Sequence, residues 1–165
     1  MKIFDTSSIV CLLREATFPR AFEICKNHGY SLAITKQVHE EIEKNPQTFK
    51  AFKLLTDFLV IDDVDEQCFS KMANRHPWLH KGEISVLCAG IAKEQEGGNY
   101  HCIVDEKARQ LKSKYSIKVN GTIGLLLWQK RQLKELNDAD CNELHKKLKC
   151  SSFWIKEEIL QELLK

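Results

Sequence analysis

Short, largely apolar runs alternate along the chain with longer stretches in which apolar side chains recur every three or four positions. The runs are Ile3-Phe4, the segments 30–34, 58–61 and 100–104, and the shorter 117–119. Their length and lack of polar alternation predict strands covered on both faces. The stretches between them predict helices. Thr6-Ser7-Ser8 can cap one carrying Ile9, Leu12 and Leu13. A second runs over 18–28, with Phe18, Phe22 and Cys25 on one side and Gly29 as its stop. Thr35 caps a third through about Lys44, with Pro46 beyond it. Further helices are expected over 49–56, about 65–74, 82–94, 106–114 and 123–130, with Pro77-Trp78 and Gly97-Gly98 as breaks. The tail, from about 139 to 164, reads as two more. Strands alternating with helices predict an α/β fold, three-layer α/β/α with a mostly parallel sheet. No repeat or linker interrupts the pattern, so 1–165 is expected to be a single domain with 139–165 as a C-terminal helical extension.

The 165 residues suffice for one buried core. A net charge of +2 rules out a polybasic tail, but leaves room for a local basic patch. Seven cysteines occur without a C-x-x-C pair, several at apolar positions, and read as reduced core thiols of a cytoplasmic protein. The opening MKIFDTSSIV, with Asp5 in it, does not read as a signal peptide. No apolar run approaches the ~18 residues that a membrane span needs.

The chemistry concentrates in the acids. Asp5 and Asp105 each follow an apolar strand directly, and ligands of open parallel sheets bind at the carboxyl ends of strands. Each can also be read as a helix N-cap, worth roughly 1 kcal/mol. In KQVHEEIEK, Val38 and Ile42 mark the buried stripe. At about 100° per residue, Glu41 lies about 80° from its middle and Glu40 about 180° away. Glu41 can therefore point along the core edge, while Glu40 and Glu43 face solvent. Glu83 opens the apolar helix of HKGEISVLCAGIA, beside Gly82, whose missing side chain would suit close approach of a ligand. Glu83 could equally serve only the positive end of its helix. If Asp5, Glu41, Glu83 and Asp105 converge, they repel one another unless a cation sits among them. Their hard oxygens select Mg²⁺ or Mn²⁺ over zinc.

The segments IFDTSSIV, ITKQVHEEI, KGEISVLCAG, IVDEKARQL and IKVNGTIGLLL, in that order over residues 2–130, resemble the PIN domain family, and the tail IKEEILQELLK is similar to that of compact VapC-like members. The resemblance implies a metal-dependent endoribonuclease with Asp5, Glu41, Glu83 and Asp105 as its acids. Asp5, Asp105 and Glu83 would be metal ligands, with Glu41 completing the set or orienting a water. Many relatives carry two aspartates where this chain has Asp105-Glu106. The family's hydroxyl contacts map onto Thr6 or Ser7 and onto Thr122, which could otherwise be a plain N-cap. Arg109 and Lys36 are candidates for holding an RNA backbone, although basic residues on a helix are commonly a solvated face. Trp78 and Trp128 could stack on bases or serve packing. VapC-type relatives further imply a homodimer and an antitoxin protein.

The same residues admit three other readings. One is a non-catalytic nucleic-acid-binding or scaffold protein on the same fold. Another is a receiver-like domain using Asp62-Asp63, although Lys118 falls inside an expected strand. The third is a zinc site from Cys25/His28 or Cys141/His145.

Overall fold

The structure is a computed structural model that describes residues 1–55, 57–153 and 155–165. The described residues form one five-stranded sheet in the order β3-β2-β1-β4-β5, with every neighbouring pair parallel. The strands are β1 (Lys2–Phe4), β2 (Leu32–Thr35), β3 (Phe58–Ile61), β4 (His101–Ile103) and β5 (Val119–Asn120). Ile3, Phe4, Ala33, Ile34, Cys102 and Ile103 are fully buried, which explains their unbroken apolar runs. β3 is an edge strand, and Leu59 and Val60 on it are 51% and 44% exposed.

Helices cover both faces. Phe4 meets Phe22 of α2 (Arg20–Asn27), ring centroids 5.2 Å apart. Cys102, which pairs with Ile3 in the ladder, instead meets the Val86 carbonyl of α6 (Lys81–Gln95). Successive strand residues point to opposite faces, so α2 and α6 lie on opposite sides of the sheet. α9 (Thr122–Arg131) joins α2, with Gln129 Nε2 donating to the Ala21 carbonyl at 2.7 Å. α3 (Lys36–Glu43) and α5 (Glu66–Arg75) pack beside α6.

Connectivity decides where a site can form. The chain builds outwards from β1 through β2 to β3, then returns to the other side of β1 to lay down β4 and β5. The carboxyl ends of β1 and β4 therefore flank the point where strand order reverses, the crevice that open α/β sheets use for ligands.

Several boundaries differ from expectation for identifiable reasons. The helix expected over 49–56 is α4 (Pro46–Phe52), because Asn45 caps it and Pro46 occupies its first turn rather than merely terminating α3. The expected end at Thr56 lies outside the described residues. The helix expected over 18–28 starts only at Arg20, behind Pro19. The helix expected over 106–114 is two turns, α7 (Glu106–Arg109) and α8 (Lys112–Tyr115). Between them the backbone tightens, with the Gln110 and Leu111 N–H groups bonding three residues back. Ser116 then turns through the left-handed region (φ 52°), and the strand expected over 117–119 begins at Val119. α1 (Thr6–Val10) continues into one π-helical turn, Cys11–Glu15, in which the Ala16 N–H reaches the Cys11 carbonyl at 2.8 Å. The tail forms α10 (Asp138–Lys149) and α11 (Glu157–Gln161). No helix among the described residues is long and apolar enough to cross a membrane.

Candidate active site

Asp5 stands one residue past β1 and caps α1. Its Oδ1 accepts from the Ser8 N–H at 2.7 Å, and its Oδ2 from the Ser7 hydroxyl at 2.8 Å. The Asp105 N–H also donates to Oδ2 at 3.1 Å, so the two strand ends are stitched across the switch point. Asp105 caps α7, with its Oδ1 accepting from Lys107 N–H at 2.9 Å and Ala108 N–H at 3.4 Å. Glu83 sits at the third position of α6 and accepts from the His80 N–H at 2.7 Å. Its carboxyl also lies within hydrogen-bonding reach of Asp105. Glu41 projects from α3, accepting from the Thr6 hydroxyl and, at 2.9 Å, from the Gly82 N–H. Glu40 and Glu43 face solvent.

All four acids line one cleft of about 310 Å³, together with Thr6, Ser7, Val10, His80 and Phe153. Burial, opposed by the bonds from Ser8, Ser7 and Asp105, pushes the Asp5 carboxyl up from 3.8 to about 6. Burial, helped by the neighbouring Asp105 and Asp5 charges, pushes Glu83 up to about 7.

Gly82 has a different role from the one its position suggests. A Cβ there would lie 2.5 Å from Glu41 Oε2 and 3.1 Å from Thr6 Oγ1. Its missing side chain makes room for Glu41, not for a ligand. Gly82→Ala is expected to push Glu41 out of the cleft at little cost in stability, because the clash falls on a flexible carboxylate and alanine gains up to about 1 kcal/mol in helix propensity. Thermal unfolding checks this. A Gly82→Ala protein that unfolds well below wild type would show that the glycine serves backbone packing instead.

Residues 1–165 match the DUF3368 family, a PIN domain. The chain belongs to the PIN domain family. No curated protein and no solved structure matches it significantly. PIN domains are generally nucleases that use divalent metal ions, and this PIN domain has the nuclease-type fold, with acids from four separate elements at the switch point of its sheet.

The donor set is one that a hard divalent cation takes: carboxylate and hydroxyl oxygens. In the conformation described, these oxygens bond to N–H and O–H donors and to one another. No three His, Cys, Asp or Glu side chains among the described residues are drawn together in ligating geometry. Each carboxylate offers about four acceptor positions, so the bonds present do not exhaust them. By donor chemistry the residues fit such an ion.

The other sequence candidates are dispersed. Thr6 and Ser7 lie in the cleft and hold Glu41 and Asp5 respectively. Glu106, Arg109 and Thr122 line an adjoining pocket that shares Ser7, Asp105 and Phe153 with the cleft. Glu106 pairs there with Lys156 at 3.0 Å and does not line the acidic cleft. Thr122 is not an N-cap, since Gly121 holds that position. Arg109 Nε donates to the Asp105 carbonyl at 3.3 Å, and its guanidinium lies against Gly121. Lys36 is exposed at the start of α3 and lines neither pocket.

Trp128 packs edge-on against Tyr30, with the buried Lys2 ammonium 4.3 Å from its ring centre, so it is a packing residue. Trp78 is 53% exposed. Asp62 and Asp63 follow the edge strand β3, two strands from the switch point, where a receiver-type site has no place. The Cys25 thiol accepts from Gln129, His28 pairs with Glu135 and His145 meets Gln161, so neither zinc spacing gathers its ligands. Sequence reasoning missed His80 and Phe153 as cleft walls. His80 was findable as the residue preceding the Glu83 helix, whereas nothing local marks Phe153.

Proposed function

We propose that this PIN domain is a metal-dependent endoribonuclease of VapC-like type, the toxin of a toxin–antitoxin pair, hydrolysing RNA phosphodiester bonds. The observation that carries the reading is the convergence of Asp5, Glu41, Glu83 and Asp105 on one cleft at the strand-order reversal. A Mg²⁺ or Mn²⁺ ion would be held by Asp5, Asp105 and Glu83, and when bound it supplies charge stabilisation at the phosphate and an acidified water.

The chain's own groups do the positioning. Ser7 and the Ser8 and Asp105 N–H groups fix the Asp5 carboxylate. Thr6 and Gly82 fix Glu41, which would accept a hydrogen bond from the attacking water and orient it. Arg109 bonds the Asp105 carbonyl, its terminal nitrogens make no ion pair among the described residues, and it would meet a phosphate of the RNA backbone. Lys36 supplies charge farther out.

The test is cleavage of structured and single-stranded RNAs by the purified chain with Mn²⁺, Mg²⁺ or EDTA. Cleavage that requires the metal and is absent in an Asp5→Asn/Asp105→Asn protein is the expected result. A folded protein that binds RNA but cuts none under any condition would favour the non-catalytic binding or scaffold reading, to which the capping bonds of Asp5 and Asp105 also lend themselves. The same proposal carries a homodimer and a small antitoxin as partners. The exposed Leu54, Leu59 and Val60 near the β3 edge support an association surface. A single monomeric mass by light scattering at micromolar concentration would count against the dimer.

A further inference from the structure

Cys68 and Cys88 lie on the packed helices α5 and α6, with their Sγ atoms 2.7 Å apart. Both line an open groove of about 260 Å³ together with Asp65, Lys71, Arg75 and Gln95; Cys68 is half-buried there, whereas Cys88 is buried behind it. This groove lies outside the acidic cleft and shares no residue with it.

Two facing thiols could serve a soft metal or a covalent bond, and the separation discriminates. A tetrahedral metal with sulfur bonds of about 2.3 Å holds its sulfurs about 3.7 Å apart. The observed contact is well inside that distance, so the sulfurs approach too closely for a bridging metal and need draw together only by a fraction of an ångström to bond at ~2.05 Å. No third His, Cys, Asp or Glu among the described residues joins the pair in metal-holding geometry. We propose that Cys68 and Cys88 are a built oxidation site, at which a low-molecular-weight disulfide of the glutathione class converts the pair into an intramolecular disulfide joining α5 to α6.

The order of events follows from access. Cys68, open to the groove, attacks the small disulfide as its thiolate, forms a mixed disulfide and releases one small thiol. Cys88 then loses its proton to solvent and attacks Cys68 Sγ, expelling the second small thiol. Two protein thiols and one small disulfide thus become one protein disulfide and two small thiols. Burial holds the Cys88 thiol far above the ordinary thiol range, so the second step is the slow one and quickens with pH. The bond closes a loop around the segment that carries His80 and Glu83, the wall of the acidic cleft. It therefore restrains the unfolded chain where the site is built.

The experiment uses the full chain with Cys150→Ser, which removes the exposed competing thiol. Reduced and desalted protein is incubated with oxidised glutathione, then mapped by non-reducing peptide mass spectrometry and by thermal unfolding. The expected product has lost two hydrogens, yields a Cys68–Cys88 linked peptide and unfolds several degrees higher until dithiothreitol is added. Adding Cys68→Ala should abolish both the mass loss and the shift. A persistent glutathione adduct on Cys68, or two thiols that still alkylate after incubation, would overturn the proposal.

Discussion

Asp105→Asn is expected to lower metal-dependent cleavage by at least about a hundredfold while leaving the fold at least as stable as before. The two halves of this result have separate causes. As a cap, Asp105 uses a single oxygen, Oδ1, for both the Lys107 and Ala108 N–H groups. An asparagine carbonyl can keep both bonds, and asparagine caps helices as well as aspartate does. Its new amide N–H₂ would face Glu83, replacing a repulsion by a donated bond. What asparagine cannot supply is the anionic oxygen that a cation requires. Loss of a ligand's share of several kcal/mol of charge stabilisation, at about 1.4 kcal/mol per decade, gives the stated factor. Cleavage rates in Mn²⁺, measured beside thermal unfolding, separate the roles. An Asp105→Asn protein that cuts at the wild-type rate would reduce Asp105 to a helix cap.

Glu83→Gln is expected to stabilise the metal-free protein at neutral and alkaline pH, by up to about 3 kcal/mol, and to remove one component of its pH dependence. Glu83 is a buried acid whose folded-state pKa, about 7, exceeds its ordinary 4.5. The folded state then binds more protons than the unfolded state between those values. This component of stability is complete below about pH 4.5 and is lost as pH rises through about 7. About 2.5 units at 1.36 kcal/mol each sets the magnitude. Glutamine keeps an acceptor for the His80 N–H and carries no charge to desolvate. Asp5 contributes with the same sign between 3.8 and about 6.

His101 pulls the other way. Burial, then the Lys2 and Lys118 charges, lowers it to about 4, so its component is lost as pH falls from 6.5 towards 4. The diagnostic quantity is therefore the difference between wild type and Glu83→Gln, measured in EDTA from pH 4 to pH 8. It should grow across that interval and shrink when Mn²⁺ is added at pH 8. A difference that does not change with pH would mean that Glu83 titrates normally.

The acids were legible in the sequence to different depths, for physical reasons. Asp5 and Asp105 were visible because an apolar run ending in an acid states its own geometry. Glu41 was visible because helical periodicity assigns each residue a direction, and Glu40 and Glu43 fell on the solvent side by the same rule. The strand order was not legible. Apolar runs separated by helices predict parallel strands, but not that β4 returns to the flank of β1, and that return places the two aspartates side by side. Gly82 was noticed and misread, since a one-dimensional pattern shows where space is left but not which side chain fills it. Pro19 and Pro46 moved two helix starts because a proline marks a beginning as readily as an end. Phe153, Ile155 and Lys156 reach the pocket beside Asp105 from the far end of the chain, and no local pattern encodes a contact of that range.

The reversal of strand order also bears on how the protein folds. β1, β2 and β3 lie within the first 61 residues and form a contiguous half-sheet among themselves. Until β4 docks, β1 is the rim of that half-sheet and Asp5 stands in water at its end. Docking of β4 supplies the Asp105 N–H to Asp5 and takes the carboxylate out of water in the same event. The charge penalty of the acidic cleft thus falls on a single long-range step, the closure of a contact spanning 100 residues, the kind that slows folding most. Mild acid, which neutralises Asp5, should therefore speed folding of the metal-free chain through that step, coupling the protonation of the acidic cleft to the kinetics of sheet assembly.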